Sequence, residues 1–145
     1  MILDTLNQKI IEAMKAHDAV RTSTLKMLSA EIHNYQIDHP EMTDEEELSV
    51  IKKEAKKRKD SIEAYLKANL NNRVESEQAE LKILQEFLPE ETSDADLEKF
   101  VNEVISETHA KVIKEMGMVI GKVMQKAKGN ADGGKVAELV KQKLI

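Results

Sequence analysis

Apolar residues recur every three to four positions along nearly the whole chain, which is the spacing of amphipathic helices. Leu3, Leu6, Ile10 and Met14 form the first stripe and predict a helix that closes near His17. Asp18 stands where it can cap a second helix with the stripe Leu25, Leu28, Ile32 and Tyr35. His39-Pro40 closes that helix, because the residue before a proline resists helical angles. The short joint between the two predicts a helical hairpin. Thr43-Asp44-Glu45-Glu46 reads as a capping box, in which a hydroxyl and a carboxylate each satisfy an amide that the helix leaves unpaired. A long third helix follows, with the seam Leu48, Ile51, Ala55, Arg58, Ile62 and Tyr65, and it closes among the asparagines at 69, 71 and 72. A fourth carries Val74, Leu81, Leu84 and Leu88 and stops at Pro89.

The stretch PEETS at 89–93 is the expected domain boundary, with a helical amino-terminal domain over 1–90 and a three-helix domain over 91–145. Ser93 is the expected cap of a fifth helix holding Leu97, Val101, Val104 and Ile105. A sixth holds Val119, Ile120, Val123, Met124 and Ala127, closed by Gly129 in a left-handed conformation. Asp132 caps a seventh with Val136, Leu139, Val140 and Leu144. No strand pattern intervenes, so the fold class read from the chain is all-α.

Composition narrows the chemistry. The chain of 145 residues has no Cys, which excludes a disulfide scaffold, a thiolate metal site and a thiol nucleophile. Two Tyr, two Phe and no Trp are too few to build stacking platforms for single-stranded nucleic acid. No apolar run approaches a membrane span and the first residues include early acids, so a soluble, cytoplasmic protein with no membrane partner is expected.

Charge is distributed unevenly. Residues 1–108 carry a net charge of −10, whereas residues 109–145 carry eight lysines against Glu115, Asp132 and Glu138, a net +5. A locally positive face on an acidic chain is the footprint of a polyanion binder, although exposed lysines also serve solubility and helix dipoles. In the third helix, Lys52 to Lys59 hold six cations in eight positions, and Lys56 with Asp60 is ordinary helical ion-pair spacing. Arg58 differs: its place on the apolar seam turns it inward, where a guanidinium needs carboxylate or carbonyl partners, and its expected role is structural.

Four histidines at 17, 33, 39 and 109 lack the i, i+4 spacing of a helical metal pair, and no metal or cofactor is expected. Phosphate-binding glycine loops, nucleophile elbows and metalloprotease motifs are missing as well. Asp44 to Glu47 are read as exposed helix-start acids that serve the cap and the dipole. One loop, KAKGNADGGK at 126–135, has the makings of an anion site. Gly133, Gly134 and Lys135 open the last helix, so amides, dipole and ammonium can converge on a phosphate; a glycine stop followed by an aspartate cap explains the same letters without a ligand.

Several short motifs in fixed order make the chain resemble the YqeY-like family. They are Arg21 with Leu25-Lys26 and Leu28, Lys57-Arg58-Lys59-Asp60-Ser61, Phe87-Leu88-Pro89, Met116-Gly117, Gly121-Lys122-Val123-Met124, and Lys128-Gly129-Asn130-Ala131-Asp132. Residues from about Ser93 onward also resemble the tail domain of the B subunit of aspartyl/glutamyl-tRNA amidotransferase. Asn130 departs from the pattern, since a basic residue is common there, and lowers the charge of the loop. The resemblance implies an elongated helical amino-terminal domain followed by a small helical bundle. It also implies contact with tRNA, and it carries a family-level label of carbon–nitrogen ligase with glutamine as amido donor.

These readings combine into one expectation: a non-catalytic accessory protein of tRNA-binding type. Lys122, Lys126, Lys128 and Lys135, with Gly129, Gly133 and Gly134, would meet tRNA or another structured RNA through its phosphates. No catalytic residue is assigned, because nucleophile, ATP site and metal site are all missing. The alternative is a helical adaptor that binds a protein partner through the amino-terminal helices without RNA.

Overall fold

Side-chain caps set most of the helix starts. In the computed structural model, which describes residues 1–145, Asp18, Thr43, Ser93 and Asp132 each accept an amide from the first turn of the helix that follows. Thr43 and Glu46 form a reciprocal capping box, the Glu46 amide donating to the threonine hydroxyl at 3.2 Å and the Thr43 amide to the glutamate at 2.8 Å. Seven α-helices result: α1 Ile2–Lys15, α2 Ala19–Asp38, α3 Asp44–Lys67, α4 Asn71–Gln85, α5 Asp94–Thr108, α6 Met116–Lys126 and α7 Gly133–Lys143. A single 3-10 turn, Ile113–Glu115, leads into α6. There is no strand, and no helix is long and apolar enough to cross a membrane.

The chain divides into two compact units, Met1–Leu88 and Pro89–Ile145. In the first, α1 packs on α2, α3 on α4, and α2 touches both α3 and α4. Its core gathers Leu6 from α1, Leu25, Leu28 and Ile32 from α2, Ile51 and Ala55 from α3 and Leu84 from α4. In the second, α5, α6 and α7 pack on one another around Leu97, Val101, Val104, Val119, Val123, Val136 and Val140. Valine is a mediocre helix former because its branched side chain loses rotamer freedom. This unit is therefore held by burial more than by propensity, at roughly 1.5–3 kcal/mol for each fully buried aliphatic side chain.

Three local features differ from the sequence expectation. α4 ends at Gln85, four residues before Pro89, so the proline marks the unit boundary and not the helix stop. The left-handed residue after α6 is Lys128 (φ 53°) as well as Gly129 (φ 73°). The Gly129 amide donates to Met124 at 2.9 Å, which closes a Schellman-type end in which Lys128 holds the position glycine usually takes. Third, Glu47 is not an exposed helix-start acid. It is buried, and its carboxylate accepts the amides of Ile2 and Leu3 at the start of α1.

Candidate nucleic-acid interface

Within the second unit, α5 supplies acids on two sides. Asp94 and Glu98 are one turn apart, Glu103 and Glu107 are one turn apart, and nine residues, about two and a half turns, separate the pairs, so they face opposite ways. On one side the ammonium of Lys126, from the last turn of α6, reaches Glu103 at 3.1 Å and Glu107 at 3.2 Å. These two hydrogen bonds, Glu103 foremost, hold the Lys126 ammonium above the ordinary lysine range. On the other side Lys135 at the start of α7 reaches Asp94 at 3.2 Å, and Lys143 at its end reaches Glu98 at 3.6 Å. Three of the eight lysines of residues 109–145 are therefore staples between helices.

The other five, Lys111, Lys114, Lys122, Lys128 and Lys141, are exposed and have no carboxylate partner. Two of the three acids in the same stretch are committed to backbone. Glu115 accepts the amides of Lys111 at 2.8 Å and Val112 at 3.2 Å, and Asp132 accepts the amide of Gly134 at 2.8 Å. The two amides hold the Glu115 carboxyl below the ordinary glutamate value, Lys111 contributing most.

The residues singled out in the sequence are thus distributed over two tasks. Lys122 on α6 and Lys128 just beyond it keep free ammonium groups, whereas Lys126 and Lys135 are turned onto α5. Gly129 shapes the turn, and the loop is tied to the rest of the unit where the Thr92 amide donates to the Asn130 carbonyl at 2.8 Å. Gly133 and Gly134 open α7, but the Gly134 amide is already taken by the Asp132 side chain. A Cβ on Gly134 would meet that cap oxygen at 3.2 Å, and one on Gly133 would meet nothing. The acids of α5 that answer Lys126 and Lys135 give no sign of that pairing in the sequence, because they lie 19 to 41 positions away.

Arg58 lies in the first unit, 12% exposed, and its Nε sits 2.9 Å from Glu80 and 3.6 Å from Glu77 of α4. Glu54, one turn back, is 4.0 Å away and also holds Lys57 at 2.9 Å, and the guanidinium donates to the Met27 sulfur of α2 at 3.2 Å. No group of three or more His, Asp or Glu side chains is placed to hold a metal ion.

A family model described as YqeY-like protein matches residues 3–144. The chain is 29% identical to altered inheritance of mitochondria protein 41, mitochondrial, of Pyrenophora tritici-repentis, over 90% of this chain and 74% of that protein. It is 32% identical to the protein of that name from Vanderwaltozyma polyspora, over 68% of this chain and 58% of that protein. It is also 36% identical to an uncharacterized protein of Schizosaccharomyces pombe, over 61% of this chain and 73% of that protein.

Proposed function

We propose, from the premise that this chain belongs to the YqeY-like family, that it is a non-catalytic accessory module whose second unit holds structured RNA of the tRNA type by its phosphates. The observation that carries the reading is the imbalance around α6 and α7, where five exposed lysines face no carboxylate and Glu115 and Asp132 are spent on backbone amides. Likeness of this region to the amidotransferase tail domain supports the same reading. Lys122 and Lys128 are the contacts to phosphate; Lys126 and Lys135 keep the helices in place so that those contacts are presented together. With so few aromatics, the module reads backbone and shape and not base edges. A cytoplasmic setting goes with this reading.

Filter binding to total tRNA across a salt series tests it. Log K should fall linearly with log salt, and replacing Lys122 and Lys128 by glutamine should reduce the slope by about 0.7–0.9 for each phosphate that is no longer neutralised. No retention at low salt rejects the reading. Incubated alone with glutamine, ATP and mischarged tRNA, the chain should form no amide, and turnover would establish the ligase activity that the family label carries.

A second reading, an adaptor working through the amino-terminal helices, is favoured by Ile11, Met14 and Val20, each about half exposed where α1 turns into α2. Retention of a protein partner after nuclease treatment, abolished by Ile11→Glu with Met14→Glu, would select it.

A further inference from the structure

Arg58 in the first unit is charged, mostly buried and poorly hydrogen-bonded. Carboxylates of Glu54, Glu77 and Glu80 stand within 4.0 Å of its guanidinium, yet the Nε N–H is aligned on none of them, and Oε2 of Glu77 is likewise buried without a donor. The hydrogen bond that the group does make goes to the Met27 sulfur of α2, at 3.2 Å. A guanidinium carries five N–H donors, and a thioether sulfur is one of the weakest acceptors a side chain offers. A buried donor without a good acceptor costs free energy, and most of all when it is charged. The cluster is therefore short of a strong acceptor on its α2 side.

Met27 is placed to supply one. It is 37% exposed, so a small oxidant in solution can reach it. Oxidation turns the thioether into a sulfoxide, a polar group with an oxygen acceptor. An oxygen atom does not fit in line into a 3.2 Å contact, so the side chain has to turn. An unbranched side chain with three rotatable bonds and an open side can do so. The remaining methionines offer the oxygen no such partner. Met14 and Met118 are about half exposed, Met42 is buried in the core of the first unit, and Met116 and Met124 pack against that of the second.

We propose that Met27 is a site of reversible oxidation by peroxide, and that the oxygen of its sulfoxide takes a charge-assisted hydrogen bond from Arg58 that ties α2 more firmly to α3. The sulfur lone pair attacks one peroxide oxygen. An S–O bond forms, the O–O bond breaks, and the transferred oxygen gives its proton to the departing hydroxide, which leaves as water. Sulfur loses two electrons and the peroxide gains them. Methionine sulfoxide reductases reverse the change. A sulfoxide in an apolar setting disrupts packing, but here it meets a cation, and charge-assisted hydrogen bonds are roughly twice as strong as neutral ones. Glu54, Glu77 and Glu80 still neutralise the guanidinium when it leans toward α2. The inference concerns the first unit and does not rest on the RNA reading.

Hydrogen peroxide treatment of the full chain, followed by peptide mass spectrometry and urea unfolding, tests it. Both tyrosines, Tyr35 and Tyr65, lie in the first unit, so tyrosine fluorescence reports its unfolding. Met27 should be converted along with Met14 and Met118. Peroxide should raise the urea midpoint by about 0.3 M more in this chain than in the Met27→Leu chain, where the other methionines are oxidised alone. Treatment with sulfoxide reductases should return the midpoint to its starting value. Arg58 variants lose stability of their own, so Met27→Gln gives the second measure. Its amide oxygen stands near the place of the sulfoxide oxygen, and it should unfold at higher urea than Met27→Leu, although leucine is the more apolar residue and at least as good a helix former. A Met27 that stays reduced while Met14 is fully converted overturns the proposal. So does a midpoint that peroxide leaves unchanged or lowers relative to the Met27→Leu chain, or a Met27→Gln chain no more stable than Met27→Leu.

Discussion

The carboxylate of Glu47 in α3 caps Ile2, the first residue of a helix 45 positions earlier, and reaches the Leu3 amide as well, at 3.2 Å. α1 has no side-chain cap of its own, and its first amides have no acceptor within the helix. A buried acid delivered by the α3 start satisfies two of them and places negative charge at the positive end of the α1 dipole. Glu47→Ala should therefore destabilise the first unit by about 1.5–3 kcal/mol, the range for hydrogen bonds to a charged group, with Glu47→Gln losing less because it keeps the volume and one acceptor. Urea unfolding measures the difference, and faster amide exchange at Leu3 would localise it. An alanine variant as stable as the parent would show that the cap is dispensable.

Arg58 joins three helices through groups that are mostly buried, so its removal leaves Glu54, Glu77 and Glu80 without their shared cation. Uncompensated buried charge is what makes such losses large, and Arg58→Met should cost about 3 kcal/mol. Adding Glu77→Gln and Glu80→Gln to that variant should recover most of the loss, because the repulsion goes with the charges. Arg58→Lys should not restore stability, since one ammonium cannot span the positions that the planar fork reaches. Equal stability of the single and triple variants would place the stabilising effect in packing of the side-chain stem.

Helix identity is legible in the chain because its causes are local. Thr43 and Glu46 lie three residues apart, and Asp18, Ser93 and Asp132 cap the residues that follow them, so four helix starts follow from neighbours alone. Glu47 misleads because its partners, Ile2 and Leu3, are distant in sequence and its neighbours Asp44 to Glu46 are ordinary first-turn acids. The lysines are half legible for the same reason. Their excess over acids in residues 109–145 is countable, but which of them is neutralised depends on α5 packing against α6 and α7, a tertiary fact. Lys126 and Lys135 thus look identical in sequence to Lys122 and Lys128, yet only the second pair keeps its charge free. The 3-10 turn at 113–115 carries too short a pattern for periodicity to register.

Lys128 combines an unfavourable backbone with a free charge. A residue with a Cβ in the left-handed region costs about 1–2 kcal/mol relative to glycine, and its φ of 53° lies inside that region. Lys128→Gly should accordingly raise the stability of the second unit by about 1 kcal/mol, and by the proposed function it should weaken tRNA retention. Thermal unfolding and filter binding on the same sample separate the two effects. Lys128→Asn should keep most of the stability gain, because asparagine tolerates the left-handed conformation. A variant that is stabilised and retains tRNA with an unchanged salt slope would remove Lys128 from the RNA interface.

Glu115 links the pH response of the second unit to the 110–113 turn. Its carboxylate accepts two backbone amides, which favour the charged form and set its folded pKa below the ordinary value of 4.5. A depressed folded pKa means that the stabilisation is complete above the unfolded value and is lost as pH falls from there through the folded value. The turn should therefore hold unchanged from neutrality down to about pH 5 and loosen progressively below about pH 4.5. The amide proton shifts of Lys111 and Val112 should follow one titration with its midpoint below the ordinary 4.5, and Glu115→Gln should abolish that transition while other carboxylates continue to titrate. If both amides respond with a midpoint above that value, the hydrogen bonds do not favour the ionised acid and the turn is held by the Ile113–Ile145 pairing alone.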